Sequence, residues 1–423
     1  MPGIGSTLSR LRTLRDLFER GLKAASGKYQ PAASARPTRL REIKDFGRNP
    51  GDLRMHVYVP DGLDPSSPLV VALHGCTQTA EVYDRGTGWS DLADRHGFIV
   101  IFPEQQPANN PKNCFSWFLP GDITRDSGEA LSIRQMIAKA EDTFAIDRSR
   151  VFVTGLSAGG AMACVMLATY PEIFAGGAII AGLPYGVASS VQEAFEAMFN
   201  ERAPSSRALG GHVRAASSHR GPWPKVSVWH GTADTVVRPS NADHIIRQWL
   251  DVHKLPERAS SEEQIGRHTR RVWTDASGNT RLEAYSIAGM AHGVPIATAD
   301  VGATGPFFLE AGLSSTFHIA RFWGLEGDEA RRFAMQPRTD PAQIATSPPE
   351  FAAQGATPID DILPQNDDRP WAGRPALDPN TAIAGAFKAA GLPVPSDTQQ
   401  RNSRMVDPGG IIASALKAAR LMR

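Results

Sequence analysis

The sequence predicts an α/β fold in which helices cover both faces of a mainly parallel sheet. A chain of 423 residues is long enough for one α/β domain of roughly 250–300 residues with extensions. Between about residues 40 and 325, short apolar runs alternate with longer amphipathic segments. Most of the apolar runs are uninterrupted, as expected of parallel strands that are buried on both faces. No large separate cap domain is expected in this range.

Seven apolar runs are predicted to be strands because glycine or proline follows each of them within two residues. Helices are predicted between the strands, for example over 128–144 and 240–254. Right-handed crossovers bring the carboxyl ends of parallel strands to one edge of the sheet, where functional side chains are expected. The predicted strands are 56–59, 69–73, 98–102, 151–153, 178–181, 226–229 and 282–287.

The segment 151–160, VFVTGLSAGG, joins a β-branched strand to a G-x-S-x-G motif and the small-residue start of a helix. Strand, sharp turn and helix form the context in which this motif presents a nucleophilic serine in an α/β-hydrolase fold. Ser157 would occupy the strained turn, and Gly155 and Gly159 would keep side chains out of its crowded flanks. The backbone N–H of Ala158 would face an oxyanion that forms during acyl transfer.

A nucleophilic serine needs a base, and the base needs an acid that orients it. In this fold the acid and then the base follow the serine along the chain. Asp234 lies five residues past the strand that ends at Trp229, and His292 lies five past the strand that ends at Ile287. Ser157, Asp234 and His292 are therefore the predicted catalytic triad.

Some alternatives to this triad stay open at the level of the sequence. Asp243 and Asp251 are rival acids, although both fall on the predicted helix after the strand, where a solvated position is expected. Asp234 could instead cap that helix. His292 is the one histidine between the last predicted strand and the closing helix, and it could be an ordinary loop residue.

The second donor of the oxyanion hole is expected in the loop after the strand that ends at Leu73. Gly75 allows the backbone to turn tightly there, so the N–H of Cys76 is the predicted partner of the Ala158 N–H. His74 precedes the nucleophile and is interpreted as a structural histidine of this loop. No residues have the spacing of metal ligands, and no phosphate-binding glycine loop follows the first strands, so neither a metal nor another cofactor is expected.

The three cysteines differ in their predicted positions. Cys164 lies on the helix after the serine, where a buried free thiol is expected. Cys76 and Cys114 both fall in loops that follow strands, and whether they pair is open.

Overall charge and hydropathy exclude several classes of partner. The chain has 45 basic and 44 acidic residues, so no net field points to nucleic acid. Residues 1–48 hold eleven basic and four acidic side chains, which fits either a polyanion-binding arm or a solvated leader. No apolar stretch approaches the roughly eighteen residues that span a bilayer. The leucines of the first helix alternate with charges, unlike the core of a signal peptide.

The chain also divides by composition. The excursion 182–224, with a predicted helix over 187–200, is either a lid or a crossover with a long loop. Two alanine-rich segments, 386–392 and 415–421, share a pattern that suggests helices docking on a hydrophobic surface, or a coincidence. The expected parts are a basic amphipathic extension (1–39), the catalytic domain (40–325), a Pro/Asp-rich linker (326–380) and two short amphipathic helices (381–423).

Six separated segments agree in order and spacing with one known family. They are LVVALHGCTQ (69–78), CFSW (114–117), GLSAGGAM (155–162), AGLPYG (181–186), HGTADTVV (230–237) and AHGVP (291–295). Together they resemble the catalytic domain of short-chain poly(3-hydroxyalkanoate) depolymerases, a group that overlaps the feruloyl and acetylxylan esterases of carbohydrate esterase family 1. The resemblance covers about residues 40–325 and neither terminus.

The resemblance implies a serine esterase that acts through an acyl-enzyme on short-chain poly- or oligo(3-hydroxybutyrate). The alternatives are a feruloyl or acetyl esterase of plant polysaccharide and, from another class, a non-catalytic protein that binds polymer granules. The resemblance also implies a disulfide between Cys76 and Cys114 and places Trp117 on the rim of the substrate cleft. Tyr185 is a second aromatic candidate for substrate contact. Relatives of this kind imply an extracellular location, whereas the charged amphipathic start favours the cytoplasm.

Overall fold

The computed structural model describes residues 15–16, 19–21, 38–199 and 204–326. Its strands are β1 (Arg41–Ile43), β2 (Arg54–Tyr58), β3 (Ser67–Leu73), β4 (Ile99–Glu104), β5 (Ile146–Leu156), β6 (Gly176–Ile180), β7 (Lys225–Gly231), β8 (Ser261–Ile265), β9 (His268–Thr274), β10 (Thr280–Ile287), β11 (Val294–Ile296) and β12 (Phe308–Glu310). Its helices are α1 (Ala80–Thr87), α2 (Trp89–His96), α3 (Pro120–Ile123), α4 (Gly128–Thr143), α5 (Ala158–Thr169), α6 (Val191–Phe199), α7 (Ser206–Ala215), α8 (Ser240–His253) and α9 (Ser315–Trp323).

Ten of the strands form one sheet in the order β1-β2-β4-β3-β5-β6-β7-β10-β9-β8. Six neighbouring strands of this sheet pair in parallel, in the order β4-β3-β5-β6-β7-β10. Antiparallel pairs extend the sheet at both edges. The predicted mainly parallel α/β fold is thus confirmed. The order puts β5 in the middle of the sheet, with β7 and β10 to one side of it.

The central strands are covered on both faces, as their uninterrupted apolar runs predict. In β3, Leu69 and Val71 point into one apolar cluster and Val70 and Ala72 into the other. Helices α4, α5 and α8 contribute to the first cluster, and α2 and α9 contribute to the second. The two buried layers fix the register of each strand, because a shift by one residue would exchange the clusters.

All seven predicted strands are present, as are the two helices named from the sequence, which correspond to α4 and α8. Strand β1 at one edge of the sheet, and β8 and β9 at the other end, were not predicted. Strand β8 has the sequence SEEQI and is mostly exposed, so it has no apolar run that a pattern could reveal. It pairs with β9 across the short turn at 266–267, so its place in the sheet comes from backbone pairing and not from burial of its side chains.

The excursion 182–224 contains α6 and α7. The helix predicted over 187–200 is therefore shorter, and α7 was missed because its two central glycines, Gly210 and Gly211, lower helix propensity. Close packing explains one of them: a Cβ on Gly210 would lie 2.1 Å from the carboxylate of Asp251 on α8.

Among the helices that the structure describes, none is long and apolar enough to cross a membrane. The predicted linker and the segments 386–392 and 415–421 lie outside the described residues, as does most of the N-terminal extension.

Candidate active site

The turn between β5 and α5 holds Ser157 in a backbone conformation that side chains seldom adopt. Its φ is 57° and its ψ is −117°, and its N–H donates to the carbonyl of Ile180 at 2.9 Å. A Cβ on Gly155 would lie 2.3 Å from the carbonyl oxygen of Gly159. A Cβ on Gly159 would in turn lie 2.3 Å from the carbonyl oxygen of Leu73. The strain and the close approaches explain why the motif needs small residues on both sides of the serine.

Asp234 lies in the turn after β7, where its carboxylate is fully engaged. Oδ1 accepts the N–H groups of Val236 and Val237, each at 2.9 Å. Oδ2 lies 2.7 Å from Nδ1 of His292. Burial alone would raise the pKa of Asp234, but His292 and His230 beside it hold that pKa well below its usual range. The carboxylate therefore stays ionised and fixes which nitrogen of His292 carries its proton.

The loops after β7 and β10 are fastened to each other. The N–H of Thr232 donates to the carbonyl of Ile287, and the N–H of Ala233 donates to the carbonyl of Met290, both at 3.0 Å. A Cβ on Gly231 would lie 2.2 Å from the Met290 carbonyl oxygen. These backbone contacts hold the two loops that carry Asp234 and His292 close together, in addition to the hydrogen bond between the two side chains.

The loop after β3 lies against the serine turn, since the carbonyls of Leu73 and His74 both approach Gly159. Burial lowers the pKa of His74 to about 4. Its Nδ1–H donates to the carbonyl of Gly75 at 2.8 Å, and its Nε2 accepts the N–H of Gln105 at 3.0 Å. Both nitrogens are used within the loops, so His74 has the structural role predicted for it.

Cys76 of this loop forms a disulfide with Cys114, and Cys164 is a buried free thiol. The bridge ties the loop after β3 to the segment that carries Trp117. Trp117 is only 8% exposed and packs edge-on against Phe118 at 5.3 Å between ring centroids. Its side chain is therefore mostly buried and belongs to the apolar cluster that also contains Cys76.

The remaining sequence candidates have hydrogen-bond or ion-pair partners outside the proposed triad. The backbone of Tyr185 exchanges two hydrogen bonds with the side-chain amide of Gln248, and its phenol is partly buried. The rival acids lie on α8, where Asp251 pairs with Arg214 at 2.6 Å and Asp243 with Arg271 at 3.4 Å. Asp234 does not cap α8, which begins after Pro239 without a side-chain cap.

Two buried side chains at this edge were missed by sequence reasoning. Glu129, at the start of α4, accepts the N–H of Ser116 at 2.8 Å and the Nε2–H of Gln105 at 2.6 Å. His230, the penultimate residue of β7, lies beside Asp234. Neither carries a local signal, because a glutamate in a first helical turn and a histidine at a strand end are usually solvated or structural. Over the described ranges, no cluster of His, Cys, Asp and Glu could hold a metal ion.

Comparison with known proteins shows which family this chain belongs to. A model of the family "Esterase PHB depolymerase" matches residues 53–272. Poly(3-hydroxyalkanoate) depolymerase C of Paucimonas lemoignei is 40% identical over 329 residues, which cover 77% of this chain and 79% of that protein. Feruloyl esterase B of Talaromyces stipitatus is 32% identical over 267 residues, 60% of this chain and 72% of that one.

Among solved structures, the acetyl xylan esterase from Aspergillus awamori superimposes with a TM-score of 0.59 and 26% identity, over 68% of this chain and 99% of that one. The chain therefore belongs to the Esterase PHB depolymerase family and is a carboxylic ester hydrolase of the serine hydrolase type.

Proposed function

We propose that this esterase hydrolyses short-chain poly- or oligo(3-hydroxybutyrate). The observation that carries the substrate class is the 40% identity over 329 residues with a poly(3-hydroxyalkanoate) depolymerase. The feruloyl and acetylxylan esterases reach 32% over 267 and 280 residues. The match to the depolymerase is longer as well as higher in identity, and it spans 77% of this chain and 79% of that protein.

The proposed reaction is acyl transfer in two steps. Ser157 loses its proton to His292 and attacks the ester carbonyl, and His292 then returns the proton to the departing alcohol. Water, deprotonated by the same imidazole, attacks the acyl-enzyme and releases the acid. Asp234 supports this role because its contact with Nδ1 leaves the other ring nitrogen of His292 as the base.

The oxyanion of each step is proposed to lie between the backbone N–H groups of Cys76 and Ala158. The amides around Cys76 are already used inside its loop: Gly75 donates to the Gln78 side chain, and Thr77 donates to a carbonyl of the disulfide-bonded segment. This pattern supports Cys76 as the donor that faces the substrate. A donor of this kind contributes about 3–4 kcal/mol to the transition state.

A second candidate is a feruloyl or acetyl esterase of plant polysaccharide. The specific observation in its favour is the superposition on an acetyl xylan esterase, of which 99% is covered. Trp117 and Tyr185 do not separate the candidates, because an aromatic ring stacks on a sugar and packs on polymer methyl groups alike. We propose both residues as substrate contacts at the cleft, with Trp117 acting from its buried position.

The experiment that tests the substrate is a side-by-side measurement of kcat/KM. The substrates are 3-hydroxybutyrate trimers, methyl ferulate and acetylated xylo-oligosaccharides, and Ser157→Ala is the matched inactive control. We expect the trimers to be preferred by at least about tenfold, a difference of about 1.4 kcal/mol in transition-state binding. Equal or reversed preference would overturn the polyester assignment. Covalent labelling of Ser157 by a fluorophosphonate separates both esterases from a non-catalytic granule-binding protein.

We also propose an extracellular location and adsorption to a polyester surface through residues 381–423. The disulfide between Cys76 and Cys114 supports an oxidising compartment. The repeated alanine-rich pattern at 386–392 and 415–421 supports adsorption. Deletion of residues 381–423 should abolish adsorption to polyester particles while hydrolysis of soluble trimers persists. Unchanged adsorption would contradict the proposed role of the segment.

A further inference from the structure

His230 is a buried histidine at the carboxyl end of β7, and only 4% of it is exposed. Its Nε2 lies 2.9 Å from the carbonyl oxygen of Val237 and 3.2 Å from Oδ2 of Asp234. Both neighbours are acceptors, so Nε2 must carry a hydrogen atom. The polar edge of this ring is therefore directed at the turn that presents the proposed acid.

His230 also contacts the other end of the turn that carries Asp234, at Val237. The N–H of Val237 donates to Oδ1 of Asp234 at 2.9 Å, while the carbonyl of Val237 accepts from His230. His230 thus holds the far end of the turn and lies against the carboxylate oxygen that His292 also uses. A shift of His230 would move both the turn and the oxygen that orients His292.

The other ring nitrogen of His230, Nδ1, makes an unfavourable contribution to stability. Nδ1 of His230 is buried and has no hydrogen-bond partner in the described part of the chain. A buried polar atom without a partner is unfavourable, and an apolar side chain of similar volume would avoid it. The feature that only the histidine supplies is the Nε2–H group beside Asp234.

We propose that His230 is a positioning residue for the acid of the triad, holding the turn and the carboxylate of Asp234 in the geometry that orients His292. The inference rests on the proposed triad of Ser157, Asp234 and His292. His230 itself touches neither the substrate nor the reacting atoms in this proposal.

The proposal has a consequence for the pH dependence of the reaction. The titratable groups that act on the Asp234 carboxyl are His230 from β7 and His292 from the loop after β10. A donor beside a carboxylate stabilises its ionised form. Its removal leaves the charge of the Asp234 carboxylate less compensated, which favours binding of a proton by the coupled pair of Asp234 and His292. The acidic limb of the kcat/KM profile should then move to higher pH.

The test compares His230→Leu and His230→Gln in the full chain with a p-nitrophenyl butyrate assay. Leucine fills similar space without a donor, whereas the amide of glutamine reaches the position of Nε2. We expect His230→Leu to lower kcat by roughly 10- to 100-fold and to leave KM within about twofold of the wild-type value. The acidic limb of its kcat/KM profile should lie at higher pH. His230→Gln should restore most of kcat and return the acidic limb towards its wild-type position.

A matched control is His253→Leu. His253 is a partly buried histidine at the end of α8, and its Nε2 lies 3.1 Å from the carbonyl of Pro224. Pro224 precedes β7, at the end of that strand opposite Asp234. This control should lower the melting temperature without moving the acidic limb. If His230→Leu behaves like His253→Leu, His230 is a packing residue and the proposal is wrong.

Two further variants keep the outcomes separable. Asp234→Asn tests the triad itself: wild-type activity in that variant would overturn the proposed function, whatever His230 does. If Asp234→Asn loses activity but His230→Leu leaves the acidic limb where it is in the wild type, the proposed triad stands and only the positioning role of His230 is overturned. Should His230→Leu fail to fold, His230→Asn replaces it, because its shorter amide reaches the Nδ1 position and not Nε2. Equal pH profiles for the Asn and Gln variants would then contradict the proposal.

Discussion

Nδ1 of His292 lies 2.7 Å from Oδ2 of Asp234, although 58 residues separate the two side chains. The contact exists because β7 and β10 are parallel neighbours, so their carboxyl ends and the loops that follow them meet. Both side chains are almost fully buried, where little water screens the attraction between an ionised carboxylate and an imidazolium. The pair is therefore suited to stabilise the charge that the imidazole acquires during proton transfer.

Ser157→Ala is expected to abolish hydrolysis of p-nitrophenyl butyrate. Removal of the hydroxyl leaves no nucleophile, and the loss in kcat should exceed about 10⁴-fold. The fold should survive, because Ser157 is at a turn and the substitution removes one atom. Steady-state kinetics and a thermal melt of the purified variant check both parts. Residual activity near that of the wild type would refute the nucleophile.

Gly159→Ala is expected to damage the site through the backbone. The new Cβ would lie 2.3 Å and 2.4 Å from the carbonyl oxygens of Leu73 and His74, so the serine turn and the loop after β3 must separate. Overpacking of this kind costs about 1–3 kcal/mol, and kcat should fall because the two proposed oxyanion donors move apart.

The matched control for Gly159→Ala is Gly211→Ala in α7. A Cβ there would meet nothing within 4 Å, so the helix should gain roughly 0.5–1 kcal/mol. Urea unfolding and kcat measured on both variants provide the comparison. Equal effects of the two substitutions would show that the approach between the turn and the loop is not tight.

The disulfide between Cys76 and Cys114 is expected to stabilise the fold. It closes a sequence separation of 38 residues, for which the loss of unfolded-state entropy corresponds to about 3–4 kcal/mol. Replacing both cysteines by alanine should lower the unfolding free energy by a similar amount. Reductant should lower the melting temperature of the wild type and leave the double variant unchanged. Two free thiols at these positions in non-reducing mass spectrometry would contradict the bridge.

Glu129 is expected to make stability depend on pH. Burial, with a smaller contribution from Asp122, raises the pKa of Glu129 to about 8. The folded chain thus binds this proton more tightly than the unfolded chain, in which the pKa of a glutamate is about 4.3. The contribution of Glu129 to stability is full below that pH and is lost as pH rises towards 8.

The variant Glu129→Gln isolates this effect. Glutamine cannot accept from both Ser116 and Gln105, so it loses one hydrogen bond at every pH, at a cost of about 1–3 kcal/mol. On top of that constant offset, the difference in unfolding free energy should move in favour of the variant between pH 5 and pH 8. Denaturant titrations at several pH values check the slope. A difference that stays constant over this range would show that Glu129 does not titrate there.

Sequence reasoning predicted the parts of the fold that depend on local pattern. The central strands were predicted because burial on both faces demands uninterrupted apolar runs such as that of β3. Strand β8 was missed because an exposed edge imposes no such demand. Helix α7 was missed because it contains two central glycines, of which Gly210 serves a close contact with α8.

The sequence by itself determined the turn at Ser157 and its setting, since a serine turn needs small neighbours within a few residues of it. It also predicted the proposed acid and base and their order along the chain. Only the tertiary structure decided that Trp117 is buried, that Glu129 ties two loops together, and that His230 lies beside Asp234. The physical reason is the range of the interactions. A turn is set by its own residues, whereas the surroundings of a buried charge come from strands and loops that meet only in the folded chain.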